Sequence, residues 1–498
     1  MNKRILKNTL YLYLRMMFSM VVSFYTSRLV LATLGVEDYG VFNVVGGMVV
    51  MFSFLNASMS GATSRFLTFA LGKGDKEELQ KTFSAALTIH ILIAFFLLIL
   101  AETAGLWYLE NKMVIPPDRM NVARVIYQFT IVSSIVTIIQ TPYNATIIAH
   151  ERMNIFAYIE ILNTCLKLGI VYLLIIAPYD KLILYAMLLF VVSCLIASSY
   201  RLYCIRQFQE CRYRFEWNKN LIYPMLSFSG WNVLGCGAFV GTTQGINMIL
   251  NLFFGIVVNA AYGVSTLVKT AIYSFVQSFQ TAVNPQIIKL YAVGKINELY
   301  SLIFQNATFS FSLMWLLLLP ISLHMETILH IWLVEVPEYT PLFCRLILIQ
   351  SLVACVKFPF AMTIHATGKM KVFQLSSGTV LLSALPVSYF FLKAGASPHI
   401  PFYICIIASV IELIIILFLL KRWINLSFIS LFKTVMIPLS LIVVISVPVS
   451  VLASYYFPFL LAFLFSGLSV CLSVYYIVFN KETRKNVIVQ VKNIFTRT

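Results

Sequence analysis

The sequence predicts an all-α polytopic membrane protein with about fourteen transmembrane helices. Three observations carry that expectation. The chain is 60% hydrophobic and only 11% charged, whereas soluble domains run at roughly 45–50% apolar and ~25% charged. Its apolar residues fall in runs long enough to cross a bilayer, which takes roughly 20 residues of helix. Its lysines and arginines concentrate in alternate loops, the pattern that sets membrane orientation.

The first apolar run, 9–34, follows Met1-Asn2-Lys3-Arg4. It is too long for the core of a signal peptide and lacks a small-residue cleavage site, so it is expected to stay as an anchoring helix. Runs at 39–70, 82–108, 120–149, 154–178 and 181–205 complete a set of six. After a polar stretch come 221–252, 257–288, 299–327, 339–366, 371–393 and 400–421, and then 429–454 and 458–479. Several exceed the minimum length, so tilted or protruding helices are expected. The expected organisation is an N-terminal six-helix lobe (1–205), a cytoplasmic linker (206–220), a C-terminal six-helix lobe (221–422) and two further helices (423–480). A cytoplasmic amphipathic tail (481–498) would follow, with Val487, Ile488, Val491, Ile494 and Phe495 at helical spacing and Lys485, Lys492 and Arg497 on other faces.

Loop charge orients these spans. With the N-terminus in the cytoplasm, only four of the 36 Lys+Arg fall in outer loops: Lys112, Arg119, Lys181 and Lys393. Eight lie within or near the ends of spans, and the remaining 24 are cytoplasmic. Outer loops gather acids instead, among them Asp38, Glu110, Asp118 and Asp180. The net charge of +17 therefore reflects topology, and no nucleic-acid partner is expected. Nine cysteines without a CxxC pair and six scattered histidines predict neither disulfides nor a metal site. The longest stretches outside the spans are too short to house a catalytic domain, so no enzyme is expected.

The chain repeats itself. Pro142…Met153-Asn154-Ile155-Phe156 matches Pro359…Met370-Lys371-Val372-Phe373 at an offset of 217, with Thr146/Thr363, Ala149/Ala366 and Arg152/Lys369 between. Tyr39-Gly40-Val41 matches Tyr262-Gly263-Val264, and Gly72-Lys73 matches Gly294-Lys295. Each pair relates span n to span n+6. Six is even, so the two copies should be parallel lobes related by an axis along the membrane normal, with a substrate site between them.

The eight membrane-embedded cations are Arg15, Arg28, Arg65, Arg124, Lys167, Lys269, Arg345 and Lys357. A cation at the bilayer centre costs roughly 2.5–3.5 kcal/mol on insertion scales, which marks such residues as functional candidates. At ~100° per residue, Tyr262, Thr266, Lys269, Tyr273, Gln277, Gln280 and Asn284 form one polar stripe on the eighth span. Asn8, Tyr11, Arg15, Ser19, Ser23 and Thr26 form another on the first. A stripe with Asn56 marks the second span, and one with Thr243 and Asn247 the seventh. Four wet faces on spans 1, 2, 7 and 8 imply a hydrated cationic cavity, with Arg15 and Lys269 as its binding charges. Ser19, Ser23, Asn56, Asn247, Tyr273 and Gln277 would line it. Arg28 points away from Arg15, and Arg65 lies off the second stripe. Lys357 reads as a lysine snorkelling to the cytoplasmic surface, and Arg124 and Arg345 read as structural. Glu160 and Lys167 share a face of span 5, either as an ion-coupling pair or as a hydrogen-bonded network. Glu412 is a lone intramembrane acid with no partner evident in the sequence. Pro285, in the eighth span, marks either a gating bend or a fixed kink.

Fourteen spans in two parallel lobes, Leu34-Gly35-Val36-Glu37-Asp38-Tyr39-Gly40, and Asn284-Pro285-Gln286-Ile287 followed by Gly294-Lys295 resemble bacterial polysaccharide flippases. This is the Wzx-type (O-antigen repeat unit) branch of the MOP superfamily that also holds MATE drug exporters and the lipid II flippase. The resemblance covers essentially the whole chain. It implies export of undecaprenyl-diphosphate-linked oligosaccharide across a bacterial inner membrane by alternating access. It also implies Na⁺ or H⁺ coupling in place of a bound cofactor, and polysaccharide polymerase and glycosyltransferase partners. By resemblance to the lipid II flippase, Arg15, Arg28, Arg65 and Lys269 occupy cavity positions; lysine on span 8 departs from that flippase's arginine. A MATE drug exporter would instead favour acids in the central spans, and a glycan polymerase would need a large outer loop.

Overall fold

The computed structural model describes residues 3–50, 53–111, 117–176, 180–215, 217–333 and 336–478. Every regular element among them is helical, one of the two ways a chain in lipid can satisfy its backbone N–H and C=O groups without water, the other being a closed β-barrel. Eleven helices are, by length and composition, long and apolar enough to cross a membrane among the described residues. The expected spans outside that set, 9–34, 39–70 and 257–288, are helical over their described residues and carry dense polar stripes. The amphipathic tail 481–498 lies outside the described residues.

The chain divides into two compact units, Met1–Gly237 with Ile288–Gly294, and Ala238–Ile287 with the rest. Unit 1 contains α1 (Lys3–Val50), α2 (Ser53–Lys73), α3 (Lys76–Leu100), α4 (Leu106–Asn111), α5 (Met120–Ala149), α6 (Met153–Ile176) and α7 (Lys181–Gln207). It also holds the ends of α8 (Lys219–Ala292). One difference from expectation is local: α1 runs through Leu34–Gly40, where the sequence expects the break between the spans 9–34 and 39–70. That segment has no proline, and each glycine in a helix costs only about 1 kcal/mol relative to alanine. Helix starts are where the side chains dictate. Asp75 caps α3, accepting from the amides of Glu77 and Glu78 at 2.9 and 3.0 Å. Asp180 caps α7 through the amide of Leu182 at 3.0 Å. Such caps satisfy amides that the first helical turn leaves without partners.

α5 packs on α7, α3, α2 and α1, while α1 packs along α6. Phe83, Ile147, Tyr200 and Cys204 form one buried cluster, and Ile126, Tyr127, Ala101 and Leu182 another. Arg119 bridges Asp38 and Asp180 at 3.0 and 2.9 Å, so three residues assigned by charge pattern to one side of the membrane do meet.

Between α3 and α4 the helix widens into a π turn, Ala101–Gly105. Tyr127 on α5 donates its hydroxyl to the Ala101 carbonyl at 2.8 Å. A β-carbon on Gly105 would lie 2.0 Å from that hydroxyl oxygen. Gly105→Ala must therefore push Tyr127 off its acceptor inside a buried cluster, at about 1–3 kcal/mol for overpacking. Thermal unfolding of the purified protein should show the loss, with Tyr127→Phe, which removes the bond without the clash, milder. An unchanged midpoint in Gly105→Ala would contradict this packing.

Unit 2 contains the central part of α8, α9 (Ile296–Leu323), α10 (Met325–Trp332), α11 (Thr340–Thr367), α12 (Met370–Lys393) and α13 (Ile400–Ile424). Short α14 (Phe428–Leu431) runs through a π turn into α15 (Ile437–Tyr456), and α16 (Phe459–Ile477) follows. α13 packs on α11 and α12, and α9 on α11, α15 and α16. Inside α8 the helical geometry breaks at Gly255 (φ 75°, ψ −164°), between the two spans expected at 221–252 and 257–288. An L-residue would be strained there, and glycine is not.

The duplication is visible in the backbone. Pro142 lies inside α5 and Pro359 inside α11; α6 starts at Met153 and α12 at Met370. Between each pair one residue turns left-handed, Glu151 (φ 58°) in the first copy and Gly368 (φ 77°) in the second. A non-glycine residue rarely occupies this region. Glu151 is held there by a buried ion pair with Lys289 at 2.7 Å.

Candidate functional site

The two units each hold part of the sequence-predicted polar machinery. In unit 1, α1 lays its polar stripe along α6. Ser19 Oγ lies 3.1 Å from Thr164 Oγ1, Tyr11 meets Tyr158 with ring centroids 6.0 Å apart, and the Tyr25 and Tyr172 hydroxyls are 3.3 Å apart. Residue numbers rise together on both helices, so they run parallel, as spans 1 and 5 must. The Arg15 guanidinium sits over the Phe156 ring, 5.0 Å from its centroid, a favourable cation–π geometry. Its Nε is buried with no hydrogen-bond partner, and among the described residues Arg15 has no carboxylate in ion-pair range. A buried donor without a partner is costly, and a bound anion would relieve it.

Glu160 accepts the Tyr200 hydroxyl at 2.9 Å, so it belongs to an α6–α7 network. Lys167 is exposed. Asn56 accepts from Thr141 at 3.1 Å. Arg65 is buried among Phe66, Phe69 and Phe228, at 4.5, 5.0 and 5.6 Å from their centroids. Ser23 is exposed, and Arg28 lies on α1 with its side chain outside what is described. Arg124 pairs with Glu110 at 2.9 Å, and Arg345 with Glu326 at 2.7 Å.

Unit 2 contains a cavity of about 250 Å³ walled by α8, α11, α12 and α13. Four residues of the predicted eighth-span stripe, Tyr262, Thr266, Lys269 and Tyr273, line it. Spaced three or four apart, they share one helix face. Gln350 and Lys357 of α11 and Ser409 of α13 complete the polar wall. The Lys269 ammonium lies 5.9 Å from the centroid of the Phe239 ring, with no carboxylate in ion-pair range among the described residues. The stripe does not line this cavity along its whole length. Gln280 is buried and bonded to Ser310 and the Cys355 carbonyl, and Gln277 is exposed. Asn247 is half-buried and is not part of the cavity wall.

Lys357 corrects the sequence-based expectation. It does not snorkel; it forms a buried ion pair with Glu412, whose other oxygen accepts the Ser377 hydroxyl. The lone acid thus has two partners. The pairing arises because α13 packs against both α11 and α12, and the periodicity of a single helix cannot show which neighbours cover it. Ser377 stands 217 residues after Glu160. Each lobe therefore ties a carboxylate to a hydroxyl across equivalent neighbouring helices, α6–α7 and α12–α13, with the acid on opposite members.

These observations set the chain among known proteins. A family model described as polysaccharide biosynthesis protein matches residues 5–291, more than half the chain. No curated protein matches. Among solved structures the chain resembles a MATE protein in a bent conformation, with TM-score 0.73 at 12% identity over 87% of this chain and 99% of that one. An outward-facing multidrug resistance MATE transporter of the MOP superfamily gives TM-score 0.68 at 14% identity, over 84% and 96%. A MOP superfamily transporter from Pyrococcus furiosus, described as having a binding pocket of reversed polarity that suggests a different function, gives 0.66 at 14% identity, over 86% and 97%. The likeness to these structures is one of fold. This multi-pass membrane protein belongs to the polysaccharide biosynthesis protein family and has the fold of the MATE structures it resembles.

Proposed function

We propose that the protein is a flippase that moves undecaprenyl-diphosphate-linked oligosaccharide from the cytoplasmic to the outer leaflet of a bacterial inner membrane, by alternating access. The cargo is an O-antigen, capsule or exopolysaccharide repeat unit. The observation that carries this reading is the sign of the embedded charge. Lys269 borders a partly polar cavity and Arg15 keeps a buried Nε without a hydrogen-bond partner, neither with a carboxylate in ion-pair range among the described residues, an arrangement suited to an anion and unsuited to an organic cation. A diphosphate-linked glycan has an anionic, hydrophilic head that needs a wet cationic path, while its tail can stay in lipid. Arg28 and Arg65 are secondary candidates for the same path. Asn56, Ser19, Ser23, Asn247, Tyr273 and Gln277 are candidates for lining it. An inside-negative potential favours outward movement of negative charge by about 2.3 kcal/mol per charge per 100 mV. Glu160 with Lys167, or Glu412, would supply any H⁺ or Na⁺ coupling. A polymerase and glycosyltransferases would act after and before it.

Depleting the protein in its native cell is expected to remove surface glycan and to accumulate lipid-linked repeat unit on the cytoplasmic leaflet. Extraction of the lipid-linked pool with mass spectrometry reads both. An unchanged pool with normal surface glycan would overturn the proposal.

A further inference from the structure

The cavity of unit 2 has a charge count that selects among anions. Two lysines border it. Lys357 is neutralised by Glu412, and Ser377 occupies the other carboxylate oxygen. Lys269 has no such partner among the described residues. The wall thus offers one net positive charge, which matches a single carboxylate. The remaining surface fits a sugar ring. Thr243, Thr266 and Ser351 donate their hydroxyl protons to the backbone carbonyls of Phe239, Gly263 and Ile347. Their oxygens are left as acceptors, which suits the donor-rich edge of a saccharide. Gln350 gives one amide N–H to Ser409 Oγ at 3.4 Å, and Ser409 donates to the Cys405 carbonyl, so Gln350 keeps a second N–H and its carbonyl oxygen for a ligand. Phe239, Tyr262 and Phe402 supply aromatic surface for the C–H face of a ring. At about 250 Å³ the space far exceeds the ~10–15 Å³ that one water needs, so it is roomy for a bare ion.

We propose that this cavity is a subsite for one acidic monosaccharide, with Lys269 pairing the sugar carboxylate and the α8, α11 and α13 hydroxyl and amide groups holding the ring. The proposal rests on the flippase reading and narrows its cargo to glycans containing a uronate-type residue.

Saturation-transfer NMR on the full-length protein in detergent tests it, with D-glucuronate, D-glucose and inorganic pyrophosphate as probes. Glucuronate should bind, and glucose about tenfold or more weakly, the size of one charge-assisted contact. Lys269→Met should lose the glucuronate signal and Lys269→Arg should keep it. If Lys269→Met does not fold, Gln350→Leu should weaken glucuronate binding instead. Equal binding of glucose and glucuronate would overturn the carboxylate assignment, as would an undiminished glucuronate signal in Lys269→Met or Gln350→Leu. Tighter binding of pyrophosphate would replace it with a diphosphate site. Failure of glucuronate to bind while depletion still accumulates lipid-linked repeat unit would remove this subsite and leave the flippase reading standing.

Discussion

Replacing Lys269 with alanine is expected to abolish surface glycan export while the protein stays at its normal level in the membrane. The substitution removes the unpaired cation of the unit 2 cavity. A hydrogen bond to a charged group contributes about 1.5–3 kcal/mol, equivalent to roughly 10- to 150-fold in affinity. Stability should not suffer, because a half-buried ammonium with no carboxylate partner among the described residues is itself unfavourable. Arg15→Ala is expected to act the same way from unit 1, where the guanidinium has a buried Nε with no partner. Arg15→Lys should retain more export than Arg15→Ala if charge dominates; equal loss would show that the planar fork of arginine is needed. Surface glycan staining beside immunoblotting separates export from abundance. Normal glycan in both alanine variants would remove the cationic-path model.

Glu412→Ala is expected to destabilise the protein by about 3–5 kcal/mol, the usual penalty for leaving one member of a buried ion pair alone. Glu412 is 4% exposed, and Lys357, its partner, has a largely covered side chain. Adding Lys357→Met should recover most of the loss, since replacing a whole buried pair with apolar groups is often near neutral. Thermal unfolding of purified single and double variants measures this. A double variant as unstable as the single would show that Lys357 is not the residue left stranded. The double variant also removes the proposed coupling carboxylate, so its transport under an imposed proton or sodium gradient separates Glu412's structural role from a coupling role.

Much of the architecture was legible because the bilayer imposes it. A spanning helix must be about 20 residues long and apolar, and its loops carry charge by side. Eleven helices follow those limits directly, and the Pro142/Pro359 repeat reappears as matched helix starts at Met153 and Met370. The embedded cations stood out by cost alone. What the sequence did not show is which helix covers which. Lys357 looked like a surface-seeking lysine because its partner lies 55 residues away on another helix. Four of the seven residues of the Lys269 stripe line a cavity within one unit, and Gln280, on the same stripe, is spent on Ser310 and the Cys355 carbonyl. Arg65 gave no sign of its three phenyl neighbours, of which Phe228 is remote in sequence. The run of α1 through Leu34–Gly40 went unread because glycine-rich turn composition weighs the same whether or not neighbouring helices stabilise the segment.

The most direct measurement reconstitutes the purified protein in liposomes with a labelled undecaprenyl-diphosphate oligosaccharide and follows its movement between leaflets. The account predicts that wild-type protein accelerates translocation above empty liposomes, that a membrane potential driving negative charge toward the receiving side increases it, and that Lys269→Ala reduces it to background. Translocation no faster than in empty liposomes, together with transport of organic cations by the same preparation, would contradict it.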